Sequence, residues 1–183
     1  DGGEAGGAAR TLGNTDAFDF ALETNNVEQL QIEGNDGAGI VTMPNQSGAR
    51  ISLTGSAQAL TTGTITKIHN NEVYDLQNEY DNATNYCFTA KNAGKYVVIG
   101  QWYSQFDDAV NQQTYVYRND SGSNLVFANR AASEDSQWIN TTLVTILDVA
   151  ANDYIDIRGW HNKGSDAASG SNWGTHFVIA KVA

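Results

Sequence analysis

The sequence predicts an all-β protein, an antiparallel jelly-roll sandwich preceded by a short β-meander. Three observations carry this. No stretch of ten or more residues repeats its apolar positions at the helical period of about 3.6. Short alternating apolar segments recur at roughly ten-residue spacing with polar turns between them, the pattern of sandwiches and jelly rolls. Gly occurs eighteen times and Pro once, which supplies turns but few breaks.

Residues 1–10, opening Asp1-Gly2-Gly3-Glu4, read as a flexible lead-in. Residues 11–45 form a short, shaft-like meander. In it Phe18, Phe20 and Leu22 alternate with Asp19 and Ala21, and Thr24-Asn25-Asn26 makes a turn because Asn tolerates the left-handed conformation. Leu30 and Ile32 alternate again, 34–37 turns, and Ile40-Val41 starts a third strand. Strands this short cannot bury their own apolar face, so the unit needs a partner. Gly34, Gly37 and Gly39 do not make a phosphate loop, because a β-like Ile-Val-Thr follows instead of a helix. Around Pro44 and Gly48 lies a natural boundary.

The jelly-roll domain is expected over 46–183. Its strands read as 50–53, 64–69, 72–75, 86–89, 95–106, 114–118, 125–129, 137–149, 154–160 and 173–182, with a long Gly/Ser loop at 161–172. The organising stretch is NYCFTAKNAGKYVVIGQWYSQF, 85–106. Alternate residues of a strand point the same way, so Tyr96, Val98, Trp102 and Phe106 share one face, and Val97, Ile99 and Tyr103 share the other. A lone antiparallel sheet needs one apolar face. Two such faces call for two covers, a second sheet and a neighbouring subunit, and hence for a symmetric oligomer. Which face meets the neighbour is open at this stage. The candidates for core or trimer contact are Tyr96, Val97, Val98, Ile99, Trp102, Tyr103 and Phe177.

Charge narrows the partners. The 183 residues carry a net charge of −11 with a pI near 4.4, and the ten lysines and arginines form no patch. Such a surface repels phosphate backbones and anionic lipid, so neither nucleic acid nor membrane insertion is expected. No apolar run is long enough to span a bilayer, and no basic-then-apolar leader opens the chain. Cys87 is the single cysteine, so no intrachain disulfide can form, and it reads as a small core residue.

Two resemblances follow from particular residues. Phe88-Thr89-Ala90 followed by Ala93-Gly94-Lys95-Tyr96-Val97-Val98 resembles the "FTAP..G.Y" stretch of the complement first-component q globular head, a relative of the tumour-necrosis-factor family. Val73-Tyr74-Asp75, Asn152-Asp153-Tyr154-Ile155 and the closing strand from Trp173 to Ile179 fall in matching order, although Lys91 replaces the motif's Pro. This resemblance spans 49–183. It implies a homotrimeric jelly roll whose chain ends lie together at a base, with calcium held near the trimer apex. Residues 11–42, "TLG.T....F.L.TNN.E.L.I...G", resemble the shaft segments of bacteriophage fibres. Together the two imply the distal part of a trimeric phage fibre.

No catalytic constellation is present. There is no G-x-S-x-G elbow and no His-Glu-x-x-His. His69, His161 and His176 lie far apart, and His176 reads as half-buried and structural. The adjacent carboxylates Asp107-Asp108 and Glu134-Asp135 lack the facing geometry of glycoside hydrolysis. Loops 107–113, 131–136 and 161–172, separated by strand pairs, should share one end. They supply the ligand-binding candidates Asp107, Asp108, Asn111, Glu134, Asp135, His161, Lys163 and Asp166, flanked by Trp160 and Trp173. Aromatics beside polar groups suit sugars. Asp107 and Asp108 are also the metal candidates, for calcium. The expected function is a non-enzymatic fibre part on the virion surface, extracellular, that trimerises, joins other virion proteins and binds a host-surface glycan or protein. The alternative is a structural assembly protein, a capsid decoration or filament subunit.

Overall fold

The computed structural model describes residues 18–34, 40–53, 58–63, 66–67, 71–106, 111–120, 126–131, 137–162, 167–168 and 174–183. By its internal contacts the chain divides into two compact units, Asp1–Asn45 and Gln46–Ala183.

The first unit is an antiparallel sheet of β1 (Phe20–Thr24), β2 (Val27–Ile32) and β3 (Val41–Thr42), in that order. Asn25 and Asn26 make the hairpin at φ 53° and 58°, the left-handed pair that matches strand twist in two-residue loops. Register sets Phe20 against Ile32, Leu22 against Leu30 and Ile32 against Val41, so these side chains share one face. Leu22 at 51 % and Val41 at 57 % relative exposure leave that face largely open. The polar residues are tied locally, with Asp19 accepting from the Gln31 amide at 2.5 Å and the Gly34 N–H at 2.9 Å.

The second unit is the expected all-β jelly roll. Its strands are β4 (Gly48–Ser52), β5 (Ala59–Leu60), β6 (Thr66–Lys67), β7 (Asn71–Asp75), β8 (Tyr80–Asp81), β9 (Cys87–Thr89), β10 (Gly94–Phe106), β11 (Asn111–Arg118), β12 (Val126–Ala131), β13 (Gln137–Val149), β14 (Tyr154–His161), β15 (Ala167–Ala168) and β16 (His176–Lys181). One sheet runs β13-β10-β16-β4-β7, and the facing sheet runs β12-β11-β14-β9-β8 with β6 along β14. All pairings are antiparallel.

Alternation decides what lies between the sheets. Tyr96, Val98 and Trp102 of β10 are fully buried there, with Phe177 and Ile179 of β16, Ile51 of β4, Phe88 of β9, Val116 of β11 and Ile155 and Ile157 of β14. Phe88 and Tyr96 meet edge to face at 5.9 Å, and the Tyr96 hydroxyl donates to the Asn92 carbonyl at 2.7 Å. Two glycines permit close approach. A Cβ on Gly159 would sit 2.8 Å from the Trp102 ring, and one on Gly174 would sit 2.3 Å from Tyr103. Val97, Ile99 and Tyr103 therefore point away from the core.

Several boundaries differ from the sequence reading. The stretch 161–172, expected as a loop, contains β15, which pairs with β5. Two Ala residues carry no alternation to reveal a strand. β11 begins at Asn111 rather than Thr114, because Gln112 turns inward and is buried despite its polarity. Of 64–69 the described part is β6, and His69 lies outside the described residues.

Entry and exit of this unit lie side by side. The Gln46 amide donates to the Lys181 carbonyl at 2.6 Å, and the Lys181 N–H donates to the Ser47 carbonyl at 3.0 Å. Glu79, 4 % exposed, accepts the Ser47 hydroxyl at 2.6 Å and the Lys91 N–H at 2.8 Å, so its buried carboxyl has a partner on each oxygen.

Candidate binding surfaces

Register brings the described strand ends that flank the three expected loops to one end of the unit. Phe106 pairs with Gln137, Asn111 with Ala131 and Gln112 with His161, all at the end opposite Gln46 and Ala183. Asn111, exposed, donates its N–H to the Asn162 side-chain carbonyl at 2.7 Å, and the Asn162 N–H donates back to the Asn111 carbonyl at 3.3 Å. Of the candidate ligand-binding residues, Asp107, Asp108, Glu134, Asp135, Lys163, Asp166 and Trp173 lie outside the described residues. That includes both calcium candidates. Among the described residues no group of three His, Cys, Asp or Glu side chains could hold a metal ion.

His161 lies elsewhere than the sequence suggests. It closes β14 instead of opening a loop, and it is fully buried. Its Nε2 lies 2.8 Å from the Leu60 carbonyl and its ring 6.0 Å from Trp102. Parity is the reason. Ile155, Ile157 and Gly159 face inward, so His161 does too, and Trp160 faces out. That signal was present in the strand's own alternation. Around His161 the core turns polar. Ser104 donates to Gln112 at 2.8 Å, Gln112 donates to the Trp102 carbonyl at 2.7 Å, and Thr114 donates to the Thr141 carbonyl at 3.0 Å.

The outward face of the β13-β10-β16-β4-β7 sheet is apolar at its centre. Val97 stands opposite Ile146, Ile99 opposite Val144 and Val178, and Arg50 opposite Val178 and Tyr74. Val144 is 64 % and Ile146 62 % exposed. At the edge of this row, burial and then the nearby Arg50 guanidinium lower the pKa of half-buried His176. The Lys95–Asp148 ion pair at 2.6 Å bounds the face on the other side.

The outward face of the other sheet carries an ion-pair network that the sequence reading missed. Asp156, fully buried, accepts Arg158 Nε at 2.6 Å and Nη2 at 2.9 Å, and lies 3.0 Å from Lys67 Nζ. Arg158 also pairs with Asp120 and lies over the Tyr117 ring, 4.0 Å from its centre. Burial works against the charge on Arg158, but its bonds to Asp156 and Asp120 outweigh this and push its pKa up. In sequence, Asp156 and Arg158 are only an i, i+2 pair of opposite charges on a strand, a weak signal by itself.

Three turn carboxylates have pKa values below the ordinary range. Asp120 is lowered by its bond to Arg158, Asp153 by those from Asn119 and Ala150, and Asp81 by the Thr84 and Ala83 N–H groups. A carboxyl lowered in the folded state stabilises the fold above its unfolded value of about 3.9, and loses that contribution as pH falls through the folded value. Lowered His176 starts to cost stability as pH falls below its unfolded value of about 6.5, and the three carboxylates add a steeper loss below about pH 4. Urea unfolding at stepped pH checks this, and Asp153→Asn should flatten the acid limb. A stability that rises on acidification below pH 4 would refute it.

No family model matches the chain, and no curated protein matches its sequence. Solved structures do match. Eiger TNF from S. frugiperda aligns with a TM-score of 0.60 at 10 % identity, over 75 % of this chain and 93 % of that one. Murine APRIL gives 0.59 at 13 % identity, over 75 % and 100 %. The globular domain of zebrafish complement 1qA protein gives 0.59 at 12 %, over 76 % and 98 %. At these identities the likeness is one of fold: the chain carries the jelly roll seen in tumour-necrosis-factor and complement 1q globular domains.

Proposed function

We propose that the chain is a non-enzymatic recognition module that assembles as a homotrimer and binds a receptor on a host surface, a glycan in particular. The observation that carries assembly is the outward row of Val97, Ile99, Val144, Ile146 and Val178. Val144 and Ile146 are more than half exposed in the single chain. A row of this kind on one sheet asks for burial against copies of itself. Three receptor sites on one axis would strengthen an individually weak contact. The setting we favour is the distal part of a phage fibre, at the virion surface beside other virion proteins. It is supported by the shaft-like residues 11–42 and by the open apolar face of β1, β2 and β3.

Light scattering on the purified chain tests this. A species near three times 19.7 kDa is expected. A stable monomer would overturn the proposal. An indefinite polymer would favour the second reading, a structural assembly protein in which the meander's open face joins neighbouring copies.

A further inference from the structure

The outward face of β11 and β14 has a composition that neither the core nor the proposed trimer contact explains. Alternation turns Gln113, Tyr115 and Tyr117 to this side of β11, and Tyr154, Asp156, Arg158 and Trp160 to this side of β14. Register sets Gln113 opposite Trp160, Tyr115 opposite Arg158 and Tyr117 opposite Asp156. Trp160 and Tyr115 are thus diagonal neighbours, about 7–8 Å apart between strands. Both are half-buried. Tyr115 meets the Tyr117 ring edge to face, centres 6.1 Å apart, and the exposed parts of the Tyr115 and Trp160 rings offer flat apolar area with a polar rim to a stacking ligand.

These rings stand on a rigid base. Arg158 lies 4.0 Å above Tyr117 and is gripped by Asp156, which is fully buried. The Tyr115 hydroxyl donates to the Gln113 carbonyl oxygen.

Charge selects the class of partner. The chain carries −11 overall, yet among the described residues of this face two cations, Lys67 and Arg158, meet two carboxylates, Asp156 and Asp120. Both cations are already paired, so neither stands ready for a phosphate, sulfate or uronate, and the surrounding negative field repels anions. Both carboxylates are likewise engaged, which removes the grip a cationic partner needs. What fits is an uncharged ligand with flat apolar faces and a rim of hydroxyls. We infer that the outward face of β11 and β14 binds a neutral oligosaccharide. Pyranose rings stack on Trp160 and Tyr115, and the Gln113 amide donates to a sugar hydroxyl. This rests on the glycan reading above and moves the contact from the end loops to the sheet.

The test titrates the full chain with the hexamers of maltose, cellulose, chitin and mannan type, and with an oligogalacturonate, by calorimetry and tryptophan fluorescence. At least one neutral sugar is expected to bind. Trp160→Ala and Tyr115→Ala should each weaken it at least tenfold with unchanged melting. Gln113→Ala, which removes no ring, should weaken it severalfold and covers the case in which a ring variant misfolds. Neutral-sugar binding that survives all three substitutions would overturn the site and leave the glycan reading standing. Binding of the oligogalacturonate alone would overturn the neutral-ligand argument. Binding of none would overturn both, without touching the trimer mass.

Discussion

Asp156→Ala is expected to lower the unfolding free energy of the Gln46–Ala183 unit by about 3 kcal/mol, the low end for losing one partner of a buried ion pair. The substitution deletes the common acceptor of Arg158 and Lys67. Arg158, only 14 % exposed at its side chain, would then hold a charge with Asp120 as its remaining carboxylate partner, while Lys67 at 27 % can turn to water. The low end of the range reflects that escape. In a unit of this size the loss corresponds to roughly 10 °C in melting temperature. Asp148→Ala is the control. Its pair with Lys95 is as short, 2.6 Å, but the two side chains are 82 % and 56 % exposed. Exposed pairs contribute about 0–1 kcal/mol. Urea denaturation of both variants decides the matter. Equal losses would mean that the Asp156 network is solvated and that the rigidity assigned to the β11–β14 face is absent.

The second large effect is on assembly. Val144→Asp combined with Ile146→Asp should convert a species near three times 19.7 kDa into one of 19.7 kDa, while the fold stays cooperative. The two residues lie on β13 beside Ile99 and Val97, pointing away from the core. In the single chain a carboxylate at either position would meet water. At a subunit contact it would be desolvated without a partner, a cost of several kcal/mol repeated in every subunit. Light scattering reads the mass, and circular dichroism with thermal melting reads the fold. A trimer that survives both substitutions would place the subunit contact elsewhere. Loss of the fold would mean that the face belongs to the core of a single chain.

Legibility in the sequence followed the strength of alternation. β10 and β13 each have 13 residues, and their apolar positions repeat long enough to show their extent. In β10 they also sort the side chains into two faces, though both faces are apolar and alternation alone did not say which one meets the core. The turn before β14 was also readable, because Asn152 at φ 70° occupies a left-handed position that Asn tolerates. β5, β8 and β15, each of two residues, were not readable, since two residues have no period. The inward turn of Gln112 and His161 was hidden by their polarity, although strand parity demanded it. The Asp156 network was hidden for a different reason. Lys67 and Asp120 reach it from distant parts of the chain, and only the pairing of β6 with β14 and the turn after β11 bring them together.

The side-by-side entry and exit of the jelly roll has a mechanical consequence. β4 and β16 are antiparallel neighbours from Gly48–Ala180 to Ser52–His176, and Gln46 is bonded to Lys181 at the same end. Tension applied between Gln46 and Ala183 would load these bonds one after another, as in a zipper, and the unit would open at low force. Load passed from the opposite end to Gln46 alone would instead pull along the strands and strain many bonds at once. A tether at a single terminus therefore suits this unit far better than a place in the middle of a stretched chain.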